Sequence, residues 1–434
     1  MIARVRLWGR TIGAVSKEAG RDYASFQYDP EFAGSGIQVA PLMMPLDDRV
    51  YEFPALPRNT FHGLPGLLAD SLPDKFGHAV IDAWLAAQGR TAESFGVMER
   101  LCYTGTRGMG ALEYAPSLGP RPGKSTRIEV EALVRLASEV LAHREQQQGR
   151  LESPAHEKEM KDILRVGTSA GGARAKAVIA WNPMTNEVRS GQIAAGDGFE
   201  YWLLKFDGVS GNKDRELDDP AGYGAIEYAY HLMARAAGIG MSECRLLEEG
   251  GRRHFMTRRF DRTPGGGKLH MQSLGALAHY DFNAPGAHAY EQAFLAIRRL
   301  QLPMSDVEEQ FRRMAFNVVA RNQDDHVKNI AFLMNQSGQW SLAPAFDVAY
   351  SYNPSGNWTA SHQMTLNGKR DQFTLADFEA GAQSAQLKRG RGPAILKEVQ
   401  AAVSRWPEFA QAARLPLEVT QRIQQAHRLT FPPA

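Results

Sequence analysis

The segment Asn322-Gln323-Asp324-Asp325-His326-Val327-Lys328-Asn329 sets an aspartate five residues ahead of an asparagine. Kinase catalytic loops use that spacing: the aspartate orients the attacking hydroxyl and the asparagine holds a metal ion. Asp324 and Asn329 keep the interval and Asp325 does not, so Asp324 is the candidate base and Asp325 its neighbour. Three further groups complete the set that phosphoryl transfer requires. Gly167-Thr168-Ser169-Ala170-Gly171-Gly172-Ala173-Arg174-Ala175-Lys176 lacks bulk, and such a loop can point amide hydrogens at a triphosphate. It is neither GxGxxG nor a Walker A, because no Lys-Ser or Lys-Thr pair follows the glycines. Lys205 sits inside the apolar run Tyr201–Phe206, where a lysine must reach water or find an acid; Glu227 on the next helix is the candidate acid. Asp347, 23 residues beyond Asp324 in Leu342-Ala343-Pro344-Ala345-Phe346-Asp347-Val348, could ligate magnesium as the DFG aspartate does, although glycine is absent here. Each group also reads as an ordinary loop, strand edge or hydrophilic turn when taken alone. Their common order carries the argument.

These groups need elements to position them. Ala3, Val5 and Leu7 alternate with Arg4 and Arg6, the pattern of a half-buried strand, and Gly9–Arg10 and Gly13 punctuate a hairpin. Pro41, Pro45, Pro54 and Pro57 make the next stretch turn-rich. Asp74 can cap a helix in which Phe76, Val80, Ile81 and Trp84 share a face. The loop Gly105–Gly110 reads as a tight turn into a strand at Ala111–Tyr114. Beyond a proline-rich linker, Ser125 is the expected cap of a helix whose stripe is Val130, Leu133, Val134, Ala137, Val140 and Leu141. Strands are expected at Lys176–Trp181 and Glu200–Phe206, a helix at Tyr223–Ala237, and a strand pair at Arg245–Phe260 broken at Gly250–Gly251. The chain then turns helical, at Ala289–Leu300 and Ser305–Arg321, the latter with Ser305 and Glu308 as a capping box. Ile330–Leu333 reads as a buried strand anchoring the loop before it, followed by a hairpin at Asn335–Gln339. Strands first and helices second predict a two-lobed α+β unit with a cleft between the lobes. The expected divisions are 1–115, a small β-rich domain; 125–265, a kinase N-lobe-like region; and 266–434, a mainly helical domain.

Composition sets outer bounds. At 434 residues the chain is long enough for two or three domains. Apolar residues make up 43% and charged residues 23%, which is globular. A net charge of +2 is too balanced to imply a nucleic-acid or membrane partner. The densest basic cluster, Arg252, Arg253, Arg258, Arg259 and Arg262, reads as a solvated strand end. Cys102 and Cys244 are far apart and lack CxxC spacing, so neither a disulfide framework nor a zinc site is expected, and a reducing cytoplasm fits. No stretch reaches the roughly 18 apolar residues of a membrane span. A cytoplasmic location is expected.

The motifs TSAGGARAK (Thr168–Lys176), DDHVKN (Asp324–Asn329) with Phe316-Asn317 before it, and LAPAFD (Leu342–Asp347) resemble the HipA family of toxin kinases. GLLADSLPDKFG (Gly66–Gly77) and RGMGALEY (Arg107–Tyr114) resemble its N-terminal domain, so the likeness covers nearly the whole chain. The resemblance implies a two-lobed HipA-like kinase fold that uses ATP and Mg2+. It implies Asp324 as catalytic base, Asn329 and Asp347 as metal ligands, and Lys205 on the ATP phosphates. Ser169, Ala170, Gly171, Gly172, Ala173, Arg174 and Lys176 would form the phosphate loop, with His326 and Lys328 also at the nucleotide and Arg258, Arg259 and Phe260 along the adenine pocket. Ser169 would be autophosphorylated, and the added charge of about −1.5 to −2 on a loop that must hold ATP would inactivate the enzyme. Thr168, Arg174 and Arg258, the last in place of an acidic residue, depart from the usual pattern. The implied targets are aminoacyl-tRNA synthetases, the glutamyl enzyme first, whose phosphorylation stops translation and favours persistence. The implied partner is a small helix-turn-helix antitoxin of the HipB type, through which alone DNA would be met. Two other readings stand beside this one: a kinase of a small molecule, and a non-catalytic co-repressor that binds antitoxin and operator DNA.

Overall fold

The computed structural model describes residues 1–119, 127–146, 174–193, 195–209, 213–214, 217–218, 222–263 and 266–433. Ser125 and the loop residues 167–173 lie outside them, and with them Ser169 to Ala173 of the expected phosphate loop. Among the described residues no helix is long and apolar enough to cross a membrane.

The N-terminal unit is built on an antiparallel sheet of β1 (Ile2–Leu7), β2 (Arg10–Ser16), β3 (Ser25–Tyr28), β4 (Val50–Glu52) and β5 (Leu112–Ala115), in the order β4-β3-β2-β1-β5. Ala3, Val5 and Leu7 are buried and the arginines between them exposed, as alternation requires. The turn joining β1 to β2 puts Trp8 at φ 47° and Gly9 at φ 82°, the paired positive φ of a tight hairpin turn. The helix Gly66–Ala69 docks this unit on the helix Leu274–Ala278. At that contact the Gly66 N–H donates to His279 Nε2 at 3.0 Å, and Asp70 accepts from the Ser273 amide at 2.7 Å and its hydroxyl at 2.9 Å. A Cβ on Gly66 would collide with the Ala276 carbonyl oxygen. Gly66→Ala should therefore lower stability by about 1–3 kcal/mol, the usual cost of forcing extra volume into a packed contact. A chemical-denaturation midpoint equal to wild type would contradict this close approach.

The second sheet is also antiparallel. It runs from Cys244–Glu249 through Arg252–Arg258 to β8 (Glu200–Lys205), β6 (Lys176–Asn182) and β7 (Glu187–Ser190). Gly250 and Gly251, at φ 56° and 78°, turn the first pair. The helix Val130–Gln146 lays its predicted stripe on this sheet; all six residues, Val130 to Leu141, are buried. Helix Lys75–Ala86 of the N-terminal unit joins the same core through Phe76, Ala79, Val80, Ile81 and Leu85. Chain order and core membership thus part company here. They part again at helix Tyr223–Ala236, which follows β8 in sequence but packs into the helical body.

That body is the largest core. Helices Tyr290–Arg299, Met304–Val319, Leu375–Ser384, Arg391–Ser404, Trp406–Ala412 and Leu417–Ala426 surround Phe294, Phe311, Phe316 and Trp406, each fully buried. The expected Ser305 cap is corrected: Met304 opens its helix, and Pro303 is the N-cap with no side-chain hydrogen bond. Pro303 holds an extended backbone (φ −66°, ψ 158°), so Ser305 falls inside the first turn. The strand Ala331–Met334, buried throughout, lies between His270–Ser273 and Trp340–Leu342, with its hairpin at Asn335–Gln339 as expected. It fixes the end of the Asp324–Asn329 loop.

Candidate functional site

A cleft of about 720 Å³ separates the second sheet, the helical body and one wall of the N-terminal unit. Arg174, Lys176, Lys205, Asp324, His326, Lys328 and Asp347 all line it, with Glu227. A smaller, mostly apolar slot of about 80 Å³ adjoins it, bounded by Leu203, Met241, Phe255, Phe346 and Val348, and reached by Asn329. Residues from 174 to 347 in the chain therefore meet in one place.

Lys176 and Lys205 are direct cross-strand partners on β6 and β8. Two ammonium groups so placed repel unless each has its own acid. Lys205 Nζ donates to Glu227 Oε1 at 2.6 Å and also to Asp347 Oδ1. Burial alone would push the Lys205 pKa down, but Asp347 and Glu227 outweigh it and hold the ammonium above its ordinary value. Burial likewise acts to raise the Asp347 carboxyl; Lys205, and then Lys176, overcome it and leave the pKa below the usual carboxylate range. Asp347 is itself at φ 57°, the left-handed region that aspartate tolerates better than most residues. Lys176 finds its acid in the other unit: Asp74 Oδ2 lies 3.3 Å from Nζ, both side chains 2% exposed. Asp74 has a second task, accepting from the Gly77 amide at 2.6 Å to cap its helix. Burial raises its carboxyl pKa and Lys176 offsets this only in part.

The loop 322–329 is held from beneath by its second aspartate. Asp325 accepts from Tyr290 Oη at 2.5 Å and the Gln363 amide at 2.7 Å, and its Oδ2 lies 2.7 Å from His362 Nδ1. Burial acts to raise the Asp325 carboxyl, yet His362 and the hydrogen bonds prevail and its pKa is lowered. Asn322 and Asn317 extend this network to Tyr290. Asp324, one residue earlier, faces the cleft instead. Asn329 Nδ2 donates to the Asp324 backbone carbonyl at 2.9 Å, which closes the loop over the short 3-10 turn Val327–Asn329. His326 Nε2 stands 3.8 Å from Asp324 Oδ1, and Lys328 Nζ lies 5.1 Å above the Phe282 ring. Arg174 places its guanidinium 3.2 Å from the Tyr223 ring centroid on the same wall.

Arg258, Arg259 and Phe260 are not brought to either cavity. Arg258 reaches Glu200 at 3.4 Å and Glu243 at 3.7 Å; Phe260 packs on Phe346 with ring centroids 5.6 Å apart. Arg259 is buried against Asp261, which also pairs with Arg262 and accepts from the Gly110 amide at 2.7 Å. Asp261 thus pins the end of the Gly105–Gly110 turn, and within the apparent basic cluster Arg258, Arg259 and Arg262 meet acids while Arg253 donates to the backbone carbonyls of Ala413 and Arg414. Cys102 and Cys244 are free and buried. Three contacts at the site carry no local sequence signal: Asp74 with Lys176, His362 with Asp325, and Trp358 Nε1 donating to Asp324 Oδ1 at 2.6 Å.

For magnesium the donor set is suitable in kind. Asn329 and Asp347 offer hard oxygens, and Mg2+ is commonly held by one or two carboxylates together with phosphate oxygens. Among the described residues no group of three or more His, Cys, Asp or Glu could hold a metal by itself.

A five-stranded sheet whose buried lysine pairs with a helix glutamate, set against a helical body that presents two aspartates across a cleft, is a two-lobed kinase-like α+β fold. Comparison with known proteins makes this specific. The family model described as HipA-like C-terminal domain matches residues 168–406, more than half of the chain, and the HipA N-terminal domain matches residues 3–115. The chain belongs to the HipA family. It is similar to the Shewanella oneidensis MR-1 HipA solved with HipB and its operator DNA, with a TM-score of 0.65 and 17% identity over 98% of this chain and 95% of that one. It is also 28% identical over 191 residues to "Putative kinase Y4mE" of Sinorhizobium fredii (strain NBRC 101917 / NGR234). That stretch takes in 40% of this chain and 43% of the relative's length.

Proposed function

We propose that this chain is an ATP- and Mg2+-dependent serine/threonine protein kinase that acts as a HipA-type toxin. One observation carries the reading: Lys205 with its Glu227 partner, Asp324 and Asp347 converge on one cleft, with Asn329 at its edge. Lys205 would neutralise the nucleotide phosphates, with Arg174, Lys176, His326 and Lys328 beside it. Asn329 and Asp347 would hold the magnesium, whose charge offsets that of the phosphates. Asp324 would accept the proton of the acceptor hydroxyl at a carboxylate oxygen. The apolar slot behind Lys205 is where a purine would enter, after widening. Lys205 now engages Asp347, so nucleotide binding entails an exchange of partners at that carboxylate.

The acceptor we propose is a serine of an aminoacyl-tRNA synthetase, the glutamyl enzyme first, with Ser169 as the site of self-inactivation. The partner is a HipB-type helix-turn-helix antitoxin, in keeping with the company in which the Shewanella HipA was solved, and the compartment is the cytoplasm. The test is transfer of the labelled γ-phosphate of ATP in cell lysate. Magnesium-dependent label is expected on a protein band and, by mass spectrometry, on Ser169. Label confined to a small molecule would overturn the protein-kinase assignment, and label only elsewhere on the chain would remove the role of Ser169.

A further inference from the structure

We propose that Trp358 is a positioning residue for Asp324, its indole N–H holding one carboxylate oxygen so that the other takes the hydroxyl proton. The inference rests on the kinase reading above. Trp358 Nε1 donates to Asp324 Oδ1 at 2.6 Å across 34 positions of sequence. An indole donates and cannot accept, so it fixes the carboxylate without competing for the proton.

The stretch carrying Trp358 is built into the catalytic loop. Gln363 Nε2 donates to the Trp358 carbonyl at 2.6 Å and to the Gln323 carbonyl at 3.2 Å. Gln323 Nε2 returns a bond to the Thr359 carbonyl at 3.0 Å. Both glutamines are buried, at 0% and 3% exposure. The stretch 358–363 therefore grips both adjacent aspartates, Asp324 through Trp358 and Asp325 through His362 and Gln363. A stretch anchored by two buried amides, one on the Trp358 carbonyl and one on the Thr359 carbonyl, behaves as scaffold, not as a lid over the base. Below the loop, Asn329 fixes the Asp324 backbone. The main chain and one carboxylate oxygen of Asp324 are thus held independently, which is the requirement for a base that must meet its proton in one geometry.

The experiment compares Trp358→Phe, which keeps a ring and removes the N–H, with Trp358→His, which restores a ring donor. Initial rates of label transfer from γ-labelled ATP, to the chain itself and to dephosphorylated casein, are measured across ATP concentrations, with melting temperatures to confirm folding. For Trp358→Phe, kcat should fall about 10- to 100-fold. KM for ATP should stay within about twofold, the split expected when only the chemical step is touched. Trp358→His should recover part of kcat. If Asp324→Ala is inactive while Trp358→Phe keeps the wild-type kcat, the inference falls and the kinase reading stands. A Trp358→Phe variant faster than wild type would make the indole a cover and also overturn it. Wild-type protein that transfers no label to either acceptor would remove the reading and the inference together.

Discussion

Asp324→Ala is expected to slow phosphate transfer about 10²- to 10⁴-fold, the worth of a positioned general base. The fold should survive. Asp324 is 22% exposed at the cleft, whereas the buried polar network that holds its loop runs through Asp325. Magnesium-dependent ATP affinity should change little, because Lys205, Asn329 and Asp347 remain. Steady-state transfer to the chain and to a protein acceptor, with ATP affinity from titration, checks both halves. A variant that transfers phosphate at the wild-type rate would show that the base lies elsewhere.

Lys205→Met should have the largest effect on stability. It leaves Glu227, 3% exposed, and Asp347, 32% exposed, without their shared cation. Stranding a buried charge costs about 3–5 kcal/mol, and water reaching Asp347 places the expectation toward the lower end. The pH dependence has a definite sign. In the wild type the depressed Asp347 pKa contributes stability above about pH 4, lost as pH falls further; the raised Lys205 pKa contributes stability below about pH 10, lost as pH rises further. Between those limits the contribution of Lys205 and Asp347 is flat. In the variant Lys205 no longer opposes burial at Asp347, although Lys176 still does, so the Asp347 carboxyl pKa rises and its protonation relieves part of the stranded charge. The stability gap between variant and wild type should narrow as pH falls from about 7 to about 5. Denaturant melts at both pH values measure it, and a gap unchanged between them would separate Lys205 from these acids.

Much of this could be read from the chain because it depends on near neighbours. Alternation placed Ala3, Val5 and Leu7 inward, and helical spacing placed the Val130–Leu141 stripe. A lysine amid Trp202, Leu203 and Leu204 demanded an acid, and Glu227 supplies it. The five-residue interval distinguished cleft-facing Asp324 from buried Asp325. What escaped depends on distant pairing. Asp74 read as a helix cap, which it is, and nothing local showed that its second oxygen meets Lys176 in another unit. Trp358 lies in an irregular stretch with no periodicity to flag it. The Arg258–Phe260 segment looked like a pocket wall, but Glu200, Glu243, Asp261 and Phe346 claim its side chains.

Helix Lys75–Ala86 lies within the span matched by the N-terminal family model, yet it lends Phe76, Val80 and Ile81 to the core beneath the second sheet, while Asp74 at its cap neutralises Lys176. The two halves are therefore poor candidates for exchange between homologues. A chimera grafting residues 1–115 from a relative onto this catalytic half would import a mismatched helix surface and put at risk the counter-ion of a cleft lysine. Such hybrids should misassemble unless the helix and its cap travel with the half they serve.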